Sequence, residues 1–378
     1  MSHSGRNPLT KKLLLQPRRL ISGLRDMRRS QDDGEERENL VVGGPLVPQS
    51  LHHPSLPFQL QAGSFPISDL DSITLLQRYA QIAQELLPSL PSSCPPLSPD
   101  DVKLTDERPV AAGWFVDIFE ATYGNRKVVL KAYRCYTSFD VARVVARFCN
   151  EVYACSLLPR ADMSFVGVYS TNAHPFGLVY GYMDNLDLRQ YMKGEPNVRR
   201  LKLLTDIARC LNRLHGVGIV HGDLWMVNIL VDKSGIPLIA SLGSVHILHH
   251  YTTWTVESGP GNGRLSRSCA PELAGPGFPP NGSDSTLPTK ASDLHSFGVM
   301  AFEILTGRPP FDGMTEIAVA YLMLRGDRPP RPDHHKVSGS VWQMIQSCWN
   351  PVASRRMPIE EVVTLLEVEL SRIPTPSV

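Results

Sequence analysis

No run in this sequence approaches the roughly 20 consecutive apolar residues that a helix needs to span a bilayer, so no transmembrane segment is expected. The opening residues, MSHSGRNPLT, lack the apolar core of a secretion signal. Seven cysteines (Cys94, Cys135, Cys149, Cys155, Cys210, Cys269 and Cys348) stand apart, with no CxxC pair and no cysteine and histidine grouping at zinc spacing. That pattern argues against a zinc module and for reduced thiols, with the cytoplasm as the expected setting and the nucleus as the alternative. Charge of one sign is also lacking: 38 Lys and Arg against 37 Asp and Glu leave a formal net charge of +1. No nucleic-acid partner is expected from such a balance, and any basic patch is local.

What is present changes along the chain. Residues 1–104 are rich in proline and serine and poor in apolar periodicity, so a disordered extension is expected there. Within it, residues 11–29 interleave Lys11, Lys12, Arg18, Arg19, Arg25, Arg28 and Arg29 with leucines. A basic amphipathic helix, a transit peptide or a nuclear import patch would suit that pattern, and a solvated charged tail suits it better. Residues 69–87 show helical spacing at Ile73, Leu76, Tyr79, Ile82 and Leu86, ended by Pro88, and predict a short docked helix. Residues 105–373 then carry strand-like runs followed by helical ones, with 374–378 as a tail. The order predicts an α+β protein of two unequal lobes, a small β-rich one over 105–183 and a larger helical one over 184–373.

The fragments VVLKAY, FCNEVYACSLL, LVYGYMDNLDLRQYM, GIVHGDLWMVNIL, ASLGS, SCAPELA, ASDLHSFGVMAFEILTGRPPF and CWNPVASRRMP occur in that order. Together they resemble the eukaryotic protein kinase domain, nearest to its tyrosine-kinase-like group. The resemblance implies ATP as nucleotide, a protein as substrate or partner, and a role in signal transduction. It assigns Lys131 to pairing the α- and β-phosphates and Glu151, twenty residues on, to the ion pair that positions that lysine. Asp223 matches the residue that takes the substrate hydroxyl's proton, and Asn228 matches a metal-holding asparagine. Tyr180 falls at the gatekeeper position, with Gly181, Tyr182 and Met183 as the hinge. Glu272 and either Arg356 or its neighbour Arg355 match a buried ion pair, and Asp293 matches the residue that holds the catalytic-loop backbone.

Several positions depart from the family pattern. Of the glycines that let backbone amides approach phosphate, only Gly113 survives, in AAGWFV. Gly222 replaces an arginine that would meet an activation-segment phosphate, and Trp225 replaces a lysine that neutralises the transferring phosphate. Loss of one such charge-stabilising group costs on the order of 3 kcal/mol. Ser241 stands where a magnesium-binding aspartate is expected, and a neutral hydroxyl is a poor ligand for that hard cation, so Mg2+ binding is put in doubt. From these losses the expected function is that of a pseudokinase or very weak kinase, with weak or absent activity, serving as a scaffold or regulator. The alternative is an active ATP-dependent Ser/Thr or Tyr kinase, supported by Lys131, Glu151, Asp223 and Asn228. HGDLxxxN also resembles small-molecule phosphotransferases, but those lack the SCAPELA element.

Overall fold

The computed structural model describes residues 72–113, 115–135, 141–159, 164–195, 199–242, 246–247, 267–273, 287–332 and 337–373. The basic segment 11–29 and Trp114 lie outside them. Helix α1 (Ser72–Leu86) opens the described chain, and its Tyr79, Ala83 and Leu86 recur at the spacing that lines one helical face. All three are buried in the apolar cluster that also holds the first lobe's helix and sheet. Residues 87–104, read from composition as part of a disordered arm, are folded: Cys94 is buried, and its thiol meets the Val152 carbonyl at 3.4 Å. Pairing with that lobe, which lies outside the local composition, accounts for the difference.

The sheet starts with β1 (Val102–Leu104), β2 (Ala111–Ala112), β3 (Val116–Tyr123) and β4 (Arg126–Tyr133). Strands β3 and β4 form a hairpin in unbroken register from Val116 opposite Tyr133 to Tyr123 opposite Arg126. Gly124 turns the hairpin at φ +56°, a left-handed angle that glycine adopts without a Cβ clash. Helix α2 (Val141–Leu157) follows, then β5 (Phe165–Tyr169) and β6 (Phe176–Gly181). The order across the sheet is β1-β3-β4-β6-β5, antiparallel throughout, with β2 on β3. Strand alternation sorts β4 into two faces. Val128, Leu130 and Ala132 join Phe119, Ala121 and Val179 in a small core on one side. Lys131 and Tyr133 belong to the other, where the Tyr133 ring meets Phe148 of α2 edge-on at 5.8 Å.

The second lobe is built from α3 (Leu188–Gly194), α4 (Arg200–Gly216), β7 (Ile219–Val220), β8 (Ile229–Val231), β9 (Pro237–Ile239), β10 (His246–Ile247), α5 (Lys290–Thr306), α6 (Glu316–Leu324), α7 (Gly339–Cys348) and α8 (Ile359–Ser371). Asp187 caps α3 by accepting from the Gln190 amide, and Thr289 and Ser292 form a reciprocal capping box on α5. Helix α5 is apolar nearly all round and buries residues on every face, so it is the lobe's central element. Helix α4 packs on α8, and α5 on α7. The architecture is α+β and two-lobed, β-rich first and helical afterwards. Among the described residues no helix is long and apolar enough to cross a membrane.

Candidate active site

Strand β4 carries Lys131 between Ile118 of β3 and Leu178 of β6, at the centre of the sheet. Its ammonium reaches both carboxylate oxygens of Glu151 on α2, at 2.6 and 2.8 Å. Glu151 is 2% exposed and Lys131 13%, so the lysine borders open space while the carboxylate is enclosed. Two phenols share that carboxylate: Tyr180 donates to it at 2.7 Å, and Tyr133 donates to its other oxygen. Burial, reinforced by neighbouring acidic groups, raises the pKa of both phenols well above the ordinary tyrosine value, so they remain donors. Sequence reasoning named Tyr180 only as a gatekeeper and missed Tyr133. The two-residue alternation from Lys131 was the available signal.

The catalytic-loop residues gather around Asp293 of α5, which is 1% exposed. Its carboxylate accepts from the backbone amides of His221 (2.8 Å) and Gly222 (2.9 Å) and pairs with His215 Nε2 at 2.9 Å. His221 is fully buried; its Nε2 faces the Ala240 carbonyl at 2.9 Å while Nδ1 accepts from the Asp223 amide. Only one tautomer satisfies both bonds. Asp223 itself is exposed, and Asn228 donates to its carbonyl at 2.8 Å and to its carboxylate at 3.2 Å.

The replaced positions have structural roles of their own. Gly222 adopts φ +75°, which a side chain would find strained. Ser241 also lies in the left-handed region, at φ +68°, next to the buried Leu242. Trp225 is half-buried and lines a small cavity with Arg189, Ser296, Met300 and Glu303, so the indole forms part of the wall between the loop and α5. Gly113 bonds its amide to the Val116 carbonyl at 2.7 Å in the β2–β3 turn, and its open surroundings would accept a Cβ. At the hinge, the Gly181 amide bonds to the Ser164 carbonyl, and the Met183 carbonyl accepts from Leu186. Arg147, one turn before Glu151 on α2, lies 5.2 Å from the Phe115 ring, with its pKa lowered chiefly by burial.

In the second lobe, Arg356 rather than Arg355 pairs with Glu272, in two bonds of 2.6 and 2.8 Å.

A lysine and glutamate paired under the sheet of the first lobe, with an aspartate on a loop anchored to the second lobe's central helix, mark the two-lobed protein kinase fold. Residues 104–366 match the family described as "Protein tyrosine and serine/threonine kinase", and the chain belongs to that family. It is 25% identical, over 77% of its length, to a probable LIM domain-containing serine/threonine-protein kinase of Dictyostelium discoideum, covering 29% of that protein. It is 26% identical to the serine/threonine/tyrosine-protein kinase HT1 of Arabidopsis thaliana, over 68% of this chain and 64% of the relative. The human serine/threonine-protein kinase TNNI3K is 26% identical over 70% of this chain and 31% of its own. The chain thus spans less than two thirds of the length of these relatives.

These findings overturn the expectation of a pseudokinase scaffold with weak or absent activity. That expectation weighed the residues lost at Trp225, Ser241 and Gly222. The intact Lys131–Glu151 pair and relatives named as kinases favour the alternative, an active kinase, because phosphoryl transfer depends first on positioning the phosphates.

Proposed function

We propose that the chain is an ATP-dependent protein kinase that phosphorylates Ser/Thr or Tyr hydroxyls of protein substrates in the cytoplasm or nucleus. The observation that carries this reading is Lys131. An ammonium has three donors; two are held by Glu151, and among the described residues no other protein acceptor takes the third. It is free for a phosphate oxygen. Tyr180, Gly181 and Met183 would back the adenine. Asp223, exposed and fixed through the Asp293 anchor, would accept the proton of the substrate hydroxyl as its oxygen bonds to the γ-phosphorus and the bond to ADP breaks. The residues at the metal position, Asn228 and Ser241, supply no carboxylate and fit Mg2+ poorly.

The test is incubation of the full chain with ATP, Mg2+ or Mn2+, and mixed Ser-, Thr- and Tyr-containing peptides, with phosphate incorporation followed by mass spectrometry. Transfer that disappears in Asp223→Asn supports the reading. Absence of transfer with either metal at saturating ATP sinks it.

A further inference from the structure

Glu151 is more heavily bonded than a simple ion-pair partner needs to be. One carboxylate oxygen accepts from Lys131 at 2.8 Å and Tyr180 at 2.7 Å; the other accepts from Lys131 at 2.6 Å and from Tyr133. An ionised carboxylate offers about four acceptor sites, and here four bonds are made. All three donors stand on adjacent strands of one sheet. Lys131 and Tyr133 are two residues apart on β4, and Tyr180 of β6 lies opposite Val129, so the pleat puts all three on the same face. The acceptor alone comes from α2. The arrangement is a staple between sheet and helix, formed by side chains of β4, β6 and α2.

The phenols are themselves fixed. Tyr180 packs edge-on to Phe165 at 5.5 Å, and its hydroxyl lies 3.5 Å from the Cys155 thiol, one helical turn beyond Glu151. Tyr133 packs on Phe148 of α2, and its carbonyl accepts from the Tyr79 hydroxyl of α1 at 3.2 Å. Rotation of α2 away from the sheet would break four charge-assisted bonds and strand two buried hydroxyls.

We propose that Tyr133 and Tyr180 are positioning residues that lock Glu151 inward, so that Lys131 is aimed for nucleotide by the sheet and α2 themselves. The proposal deepens the kinase reading and rests on it for its kinetic consequence, while its structural half stands alone.

The experiment compares the full chain with Tyr133→Phe, Tyr180→Phe and the double variant, each of which keeps the ring and deletes only hydroxyls. Backbone hydrogen exchange is followed in α2 and, as an internal control, in α4 and α5; KM for ATP and kcat are measured alongside. The expected result for the double variant is faster exchange confined to α2 and a KM for ATP raised about tenfold with a smaller change in kcat, the single variants lying between. Exchange and KM within twofold of wild type, or exchange accelerated equally in both lobes, overturns the proposal. If the wild-type chain transfers no phosphate, the kinase reading falls, and the exchange pattern still decides whether the staple exists.

Discussion

Lys131–Glu151 in the first lobe and Arg356–Glu272 in the second are both ion pairs with an enclosed member, but their donors are used differently. The Arg356 guanidinium is 1% exposed and donates to both oxygens of Glu272, to the Ala291 carbonyl and to the Asn350 carbonyl. Nearly all of its five N–H groups are therefore satisfied by protein. In the first lobe the saturated member is the acid instead, and the cation keeps a donor at a partly open edge. A cation saturated by carbonyls and carboxylate joins segments that are distant in sequence. A cation held from one side by a saturated acid is poised for something that arrives.

The largest effect expected from this contrast is kinetic. Lys131→Met should lower phosphoryl transfer about 10²–10³-fold in steady-state assays, the usual loss when a charge-stabilising group is deleted. Its unfolding midpoint should fall as the buried Glu151 loses its cation, but by less than on removal of Arg356, because both phenolic donors stay on the acid. A fall in stability as large as that caused by removing Arg356 would break the comparison. Arg356→Met should cost about 3–5 kcal/mol in urea unfolding, the penalty for removing one partner of a buried pair, and leave the KM for ATP of the folded protein unchanged.

A smaller change is expected at the metal position. Ser241→Asp supplies a carboxylate where the backbone already adopts φ +68°, an angle that aspartate tolerates. The Mg2+-dependent kcat/KM should rise about tenfold as a carboxylate joins Asn228 at the metal position. An unchanged value would mean that the loop does not direct position 241 at the nucleotide.

A further effect concerns pH. His295 is fully buried, and burial, with the Arg356 and Arg328 cations beside it, lowers its pKa well below the ordinary histidine value. The unfolded chain takes up this proton near pH 6.5 and the native chain does not, so the contribution to stability is present above about pH 6.5 and is lost as the pH falls. The slope should be about 1.4 kcal/mol per pH unit below that point. Replacing His295 by glutamine should flatten the unfolding curve between pH 7 and 5; an unaltered slope would mean that the site admits another charge.

The two-lobed fold was legible because its signals are local: alternation around Gly124, helical spacing in α4 and an all-round apolar α5. Lys131 and Glu151 were legible through motif order. The phenols were not, since a hydroxyl's partner is decided by which strands neighbour each other, and β6 is 45 residues beyond β4 in chain order, counting Lys131 to Phe176. Arg356 and Arg355 could not be separated in sequence because the choice depends on the turn at Ala353–Arg355. Trp225 and Gly222 read as losses in a one-dimensional comparison. In three dimensions one builds a wall and the other fits a left-handed backbone. Counting missing charges therefore misjudged a site whose lysine–glutamate pair is in place.

Helix α1 lies before the segment that matches the family, yet Tyr79 reaches the Tyr133 carbonyl and packs its ring at a tilt 4.7 Å from Phe176, while Cys94 meets α2. The inherited kinase segment and the cooperative folding unit therefore do not share a boundary. A fragment trimmed to residues 104–366 would expose a raw apolar wall on its smaller lobe, and grafting that segment into another protein would carry the chemistry while leaving part of its foundation behind.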